Sequence, residues 1–155
     1  MRIIAKNKKA LYDYEILNTF EAGIVLTGPE VKSIKNGRIN LAGSYVMVDN
    51  ENNVYLLNAH VAPYPPAFQV QQDYKPTQNR KLLLRKKEIQ EIIGKTHIVG
   101  LSAIPLKVYT KGSIIKIEIA IARGKKKYDK RRSIKERDLK KKIREKLKKS
   151  LKFSD

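Results

Sequence analysis

The residues of this chain that could do chemistry are mostly cations. Its 155 residues hold no Cys and two His, against 34 Lys and Arg and 15 Asp and Glu, a net charge of +19. Without Cys there is no disulfide and no thiolate metal ligand, and His60 and His97 alone cannot build an all-histidine site. A nucleophile–base pair would need a Cys, or a Ser on a strained Gly-x-Ser-x-Gly turn, and the chain has neither. Glu15, Glu21 and Glu30 supply carboxylates, but acids on strands and at a helix start are ordinarily solvated or capping groups. Gly23-x4-Gly28 lacks the Lys-Ser/Thr that must follow in a phosphate-cradling loop. The sequence reads as non-enzymatic, with no cofactor and no metal.

The cations fall into four clusters and a tail. Lys6-Asn7-Lys8-Lys9 comes first, Lys32 and Lys35 flank Ser33, Gln78-Asn79-Arg80-Lys81 follows, and Gly124-Lys125-Lys126-Lys127-Tyr128-Asp129-Lys130-Arg131-Arg132 begins the tail. Residues 123–155 carry 17 Lys and Arg against 5 Asp and Glu, a net +12, which leaves +7 for residues 1–122. Lys and Arg contacts to phosphate give affinity and position, whereas Asn7 and Ser33 offer directional hydrogen bonds to bases or 2′-hydroxyls. Any one cluster can equally be a solvated surface. Together they point to a polyanion, RNA or DNA.

The elements that must position these clusters are short. Tyr14 to Glu21 alternates as a strand that Gly23 to Leu26 continues, with Gly23 expected to mark a bulge or bend. Thr27-Gly28-Pro29-Glu30 is a helix start, with Pro29 suited to the first helical position and Glu30 to the dipole; Asn36-Gly37 stops that helix after about two turns. Ser44 to Val48 and Val54 to Ala59 form a hairpin across an Asp/Asn cluster. Residues 63–76 hold four of the six prolines and form an irregular excursion. Lys81 to Leu84 leads into a helix over 85–93 that Gly94 should end. A second hairpin runs from Ala103 to Tyr109, through Lys111-Gly112, to Ile114–Ile121, with the isoleucines on one face and Lys116 and Glu118 on the other. The basic segment 1–9 is expected to stay loose until a ligand holds it. Short strands in hairpins with two or three short helices describe a mainly β fold, a small β-barrel rather than a doubly wound sheet.

Two regions follow: a domain over 1–122 and a basic tail over 123–155 with too few apolar residues for a core of its own. From Ser133 the tail has helical periodicity, with Leu139, Ile143, Leu147 and Leu151 on a narrow stripe. Lone helices of this length are marginal in water and lysine repulsion opposes this one, so the tail is expected to be disordered free and helical when bound. The chain opens on no signal-peptide pattern, and its apolar runs fall far short of the roughly 18–20 residues of a membrane span, so a soluble cytoplasmic protein is expected. A membrane-surface role for the tail as a basic amphipathic helix would rest on that narrow stripe, with Phe153 its sole aromatic.

Gly23-Ile24-Val25-Leu26-Thr27-Gly28-Pro29-Glu30-Val31-Lys32-Ser33 resembles the Ala-Gly-x-x-Leu-x-Gly-x-Glu-Val-Lys-Ser signature of the SsrA-binding protein (small protein B) family. Asn7-Lys8-Lys9-Ala10 with Tyr14, then Arg80-Lys81-Leu82-Leu83-Leu84, then Gly124-Lys125-Lys126-x-Tyr128-Asp129-Lys130-Arg131 resemble further family motifs in the same order. Ile134-Lys135-Glu136-Arg137 extends the likeness. The resemblance implies an oligonucleotide-binding-type β-barrel, monomeric and away from membranes, that binds the tRNA-like domain of transfer-messenger RNA (SsrA RNA) around its D-loop and elbow. It further implies that this RNA, charged by alanyl-tRNA synthetase and carried by elongation factor Tu, is brought to stalled ribosomes for trans-translation. The tail would then act in the decoding centre, against small-subunit RNA, and in the empty mRNA channel. The alternative kept beside it is a general ribosomal or RNA-binding barrel.

On this resemblance Asn7, Glu30 and Leu83 belong to the transfer-messenger RNA face. Lys8, Lys9, Lys32, Ser33, Arg80, Lys81, Lys125 and Lys126 of the basic clusters join them. Tyr128, Asp129, Lys130 and Arg131 match the decoding-centre part of the tail. Glu30 can equally serve the helix dipole, Leu83 the core, and Tyr128 an anchor of the tail. The sequence departs from many relatives at Tyr109-Thr110, Arg85 and Leu139, the last standing where several carry Trp.

Overall fold

Alternation of β-branched and polar residues makes the strands, and long-range pairing decides how they assemble. The computed structural model describes residues 1–67, 72–125 and 137–146. Contacts divide the chain into two units, Met1–Gly124 and Lys125–Asp155. The first runs β1 (Arg2–Lys6), α1 (Lys8–Asp13), β2 (Tyr14–Ile24), α2 (Gly28–Lys35), β3 (Ile39–Asn40), β4 (Tyr45–Val48), β5 (Val54–Leu57), β6 (His60–Val61), β7 (Arg80–Leu83), α3 (Lys86–Thr96), β8 (Leu101–Lys111) and β9 (Ile114–Gly124). In the second unit residues 137–146 form a helix, with Leu139 and Ile143 exposed.

Seven strands pair in the order β1-β8-β9-β2-β7-β5-β4, and β3 pairs with β6 apart from them. Every ladder is antiparallel. The last strand, β4, lies back against β8, so the sheet curls on itself. No ladder joins those two strands among the described residues. The expected barrel is therefore not closed by hydrogen bonds, and the fold is a mixed one, a curled sheet with helices. Pro105 has no N–H to give a neighbour, and β8 slips its register against β9 between Pro105 and Lys107.

Inside the curl Ile34, Leu56, Ile92, Ile117 and Ile121 have no exposed surface. Each such side chain contributes about 1.5–3 kcal/mol by leaving water. A smaller cluster lies on the other side of the sheet, where Ala10 of α1 meets Ile104, Leu106, Ala120 and Ala122.

Both hairpins form where the sequence places them. In the first, Asp49 Oδ1 accepts from Glu51 and Asn53 N–H, each at 2.9 Å. Asn52 takes a φ of 64° there, and Gly112 one of 63° in the second turn. α2 starts as predicted, on a capping box: Thr27 Oγ1 accepts from Glu30 N–H at 3.3 Å while Glu30 Oε1 accepts from Thr27 N–H at 3.0 Å.

Three expectations change. Residues 2–6 are not loose but pair with β8. The irregularity in β2 falls between Ile16 and Asn18, and Gly23 is regular; a Cβ there would stand 3.3 Å from Leu83 Cβ, so glycine lets β7 approach. Helix α3 runs through Gly94 to Thr96, because buried Ile92 holds it to the core and outweighs the roughly 1 kcal/mol that glycine costs a helix. Ile117→Ala should lower stability by about 2–5 kcal/mol in urea unfolding, whereas Ile114→Ala, 60% exposed, should stay within about 0.5 kcal/mol.

Candidate nucleic-acid interface

Four of the residues expected at an RNA face point inward. Arg80 and Glu30 are each 2% exposed and meet at 2.6 Å, Nε to Oε2. Arg80 uses all five of its N–H donors. Nε–H goes to Glu30, Nη1 to the carbonyls of Ala59 (2.8 Å) and Gln78 (3.1 Å), and Nη2 to the Tyr74 hydroxyl (2.9 Å) and the Pro76 carbonyl (2.8 Å). Glu30 Oε2 also lies 3.1 Å from the Tyr74 hydroxyl and 3.3 Å from Gln78 Nε2. Burial works against charge on Glu30, yet the Thr27 N–H and the Arg80 guanidinium hold its carboxyl below the usual carboxylate range. Burial, with Glu30 beside it, pushes the Tyr74 phenol up to about 12. Ser33, fully buried, donates to the Ala62 carbonyl. Asn7, 5% exposed, caps α1 by accepting from Ala10 N–H at 3.1 Å and donates Nδ2–H to the Pro105 carbonyl at 2.9 Å.

The neighbours of these anchors face out. Lys8 and Lys9 are exposed on α1, and Lys32 is exposed on α2 with its ammonium 5.5 Å from the centre of the Tyr64 ring. On β7 burial alternates, so Arg80 and Leu82 go in while Lys81 and Leu83 go out, Leu83 being 54% exposed. Register carries this outer face across the sheet: Lys81 lies opposite Tyr55, Tyr55 opposite Met47, and Leu57 opposite Tyr45. A cation, two tyrosines, Met47 and Leu83 thus share one side of β4, β5 and β7. Apolar rings beside fixed positive charge can stack bases and neutralise phosphates together. Lys125 is described and partly exposed. Lys126, Tyr128, Asp129, Lys130 and Arg131 lie outside the described residues.

The sequence model of the SmpB protein family matches residues 4–149. The chain belongs to the SmpB family. It is 49% identical over 153 residues to the SsrA-binding protein of Persephonella marina, covering 99% of both chains. Its identity to the SsrA-binding protein of a Sulfurihydrogenibium species is 48% over 152 residues, 98% of each. Among solved structures it resembles a chain reported under "tmRNA-SmpB: a journey to the center of the bacterial ribosome", with a TM-score of 0.63, 38% identity, and coverage of 79% of this chain and 85% of that one.

In this SmpB family member Tyr45, Met47 and Tyr55 share the outer face with Lys81 and lie in none of the sequence motifs. The alternation of Tyr45-Val46-Met47-Val48 was the available signal, since period two sends Tyr45 and Met47 to one side. Glu30→Gln should cost about 3–5 kcal/mol in urea unfolding, because Arg80 is left charged and buried. Glu30 has a depressed folded-state pKa, so its contribution is complete above the ordinary carboxylate pKa and is lost as pH falls through the lower folded value. The gap between parent and Glu30→Gln should therefore narrow as pH drops; a gap constant down to acid pH contradicts the ionised pair.

Proposed function

We propose that the chain binds the tRNA-like domain of transfer-messenger RNA and delivers it to stalled ribosomes for trans-translation. The observation that carries this reading is the SmpB family match over residues 4–149. Its relatives are named for SsrA binding, and the description of the solved relative joins tmRNA, SmpB and the bacterial ribosome. The curled antiparallel sheet supports an oligonucleotide-binding-type barrel with one open seam.

On this reading Lys8, Lys9, Lys32, Lys81 and Lys125 neutralise phosphates while Tyr55 and Leu83 pack on bases. Asn7, Glu30, Ser33 and Arg80 act from inside, by holding α1, α2 and β7 where those side chains are useful. The tail over 123–155, with its net charge of +12, enters the decoding centre through Tyr128, Asp129, Lys130 and Arg131 and then the empty mRNA channel. Its helix over residues 137–146, formed without RNA, is steadied as RNA neutralises the lysines around it. Elongation factor Tu and alanyl-tRNA synthetase are met through the RNA, and such work is cytoplasmic. No helix among the described residues is long and apolar enough to cross a membrane.

Competition across a salt series tests the first half. The tRNA-like fragment should outcompete ordinary tRNA and linear duplex, and Lys8, Lys9 and Lys81 replaced together by Ala should flatten the slope of log affinity against log salt by about 2–3. Equal competition by duplex would favour a general RNA-binding barrel. Removing residues 130–155 should leave fragment binding unchanged and abolish tagging on stalled ribosomes; tagging by the shortened chain contradicts the role given to the tail.

A further inference from the structure

The curled sheet leaves a cleft of about 490 Å³ where β4 and β8 fail to join, walled on one side by α1. Strand β4 pairs with β5 on one edge and has no ladder on the other. Strand β1 reaches β8 only over Lys107–Thr110, so the same edge of β8 has no ladder partner at residues 101–104. Alternate residues of an antiparallel strand turn N–H and C=O together to one edge. Both lips of the seam therefore offer backbone donors and acceptors that no strand uses among the described residues.

Two aromatic rings line this cleft, Tyr45 on β4, 44% exposed, and Tyr14 at the start of β2. Lys9 lines it from α1, and Asp13 stands one turn further along the same wall. The Ser102 hydroxyl, also lining the cleft, has no partner among the described residues. The size suits a small organic group, and the rings suit a flat one. Unpaired backbone groups suit an edge of alternating donors and acceptors, as a nucleobase presents. Lys9 brings a cation to the cleft that suits a phosphate.

We propose that the seam between β4 and β8 takes one unstacked RNA nucleotide, its base against Tyr45 and Tyr14 and its phosphate on Lys9. The base edge is read by the backbone of the two open strand edges and by Ser102. This rests on the RNA-binding reading above and adds a single-nucleotide pocket to it. Tyr45 both lines the cleft and shares the outer side of β4 with Met47, so a strand laid on that face can drop one base into the seam.

The full chain has no Trp, so Tyr45→Trp supplies a lone indole in the cleft. Its fluorescence should be quenched on titration with the tRNA-like fragment of transfer-messenger RNA, and not by a free nucleoside monophosphate over the same concentration range. Tyr45→Ala should weaken fragment binding about 10- to 100-fold, the worth of one base–aromatic stack. An indole that ignores the fragment, or responds equally to the monophosphate, overturns the proposal, as does a folded Tyr45→Ala chain that binds like the parent. Should Tyr45→Ala fail to fold, Tyr45→Trp, which keeps a ring, decides the matter. Failure of the transfer-messenger RNA reading itself looks different: the parent chain would then show no preference for the fragment over linear duplex.

Discussion

The arrangement of this molecule turns on one guanidinium. Arg80 has five N–H groups and each has an acceptor inside the protein. Those acceptors come from α2, from the residues between β5 and β6, from Tyr74 and Pro76 at the return of the proline-rich excursion, and from Gln78 just before β7. A charge taken out of water is costly unless every donor is matched. Here the match needs all of those segments in place at once. Glu30 answers with the counter-charge while its other oxygen closes the cap of α2. The same carboxylate starts the helix and fixes that helix to the sheet.

This explains why the basic clusters divide so sharply. Three of them join an inward anchor to an outward cation one residue away: Asn7 with Lys8, Ser33 with Lys32, Arg80 with Lys81. Strand pleat does this on β7, and a helix cap and a helix face do it on α1 and α2. The anchor is held by bonds to backbone carbonyls, so a change there is felt by the exposed neighbour through the main chain. The chemistry of contact and the chemistry of support are interleaved in sequence and separated in space.

Much of the fold was legible because it is local. Both hairpins, the capped start of α2 and its stop at Asn36-Gly37 follow from turn residues and alternation. What was not legible depends on partners distant in sequence. Nothing in residues 2–6 announces a pairing with residues 107–110, and the open seam appears only when β4 returns to β8. Gly94 misled because its cost is local while the benefit of Ile92 is not. At the candidate site the motifs named segments that carry both inward and outward side chains, and did not give the direction of each. Glu30 beside a helix start could be read either way, and its buried place follows from the proximity of Arg80, fifty positions on.

On this account Glu30 is an ionised internal anchor, closed in by Arg80 and Tyr74, and RNA does not touch it. The carboxyl carbon of Glu30, labelled with 13C and followed by NMR through a pH titration with and without the tRNA-like fragment, tests it most directly. The expected result is a signal that stays ionised to well below the ordinary carboxylate range and keeps its place when RNA binds. Titration at the ordinary value in the free protein, or a signal displaced by the RNA, would contradict it.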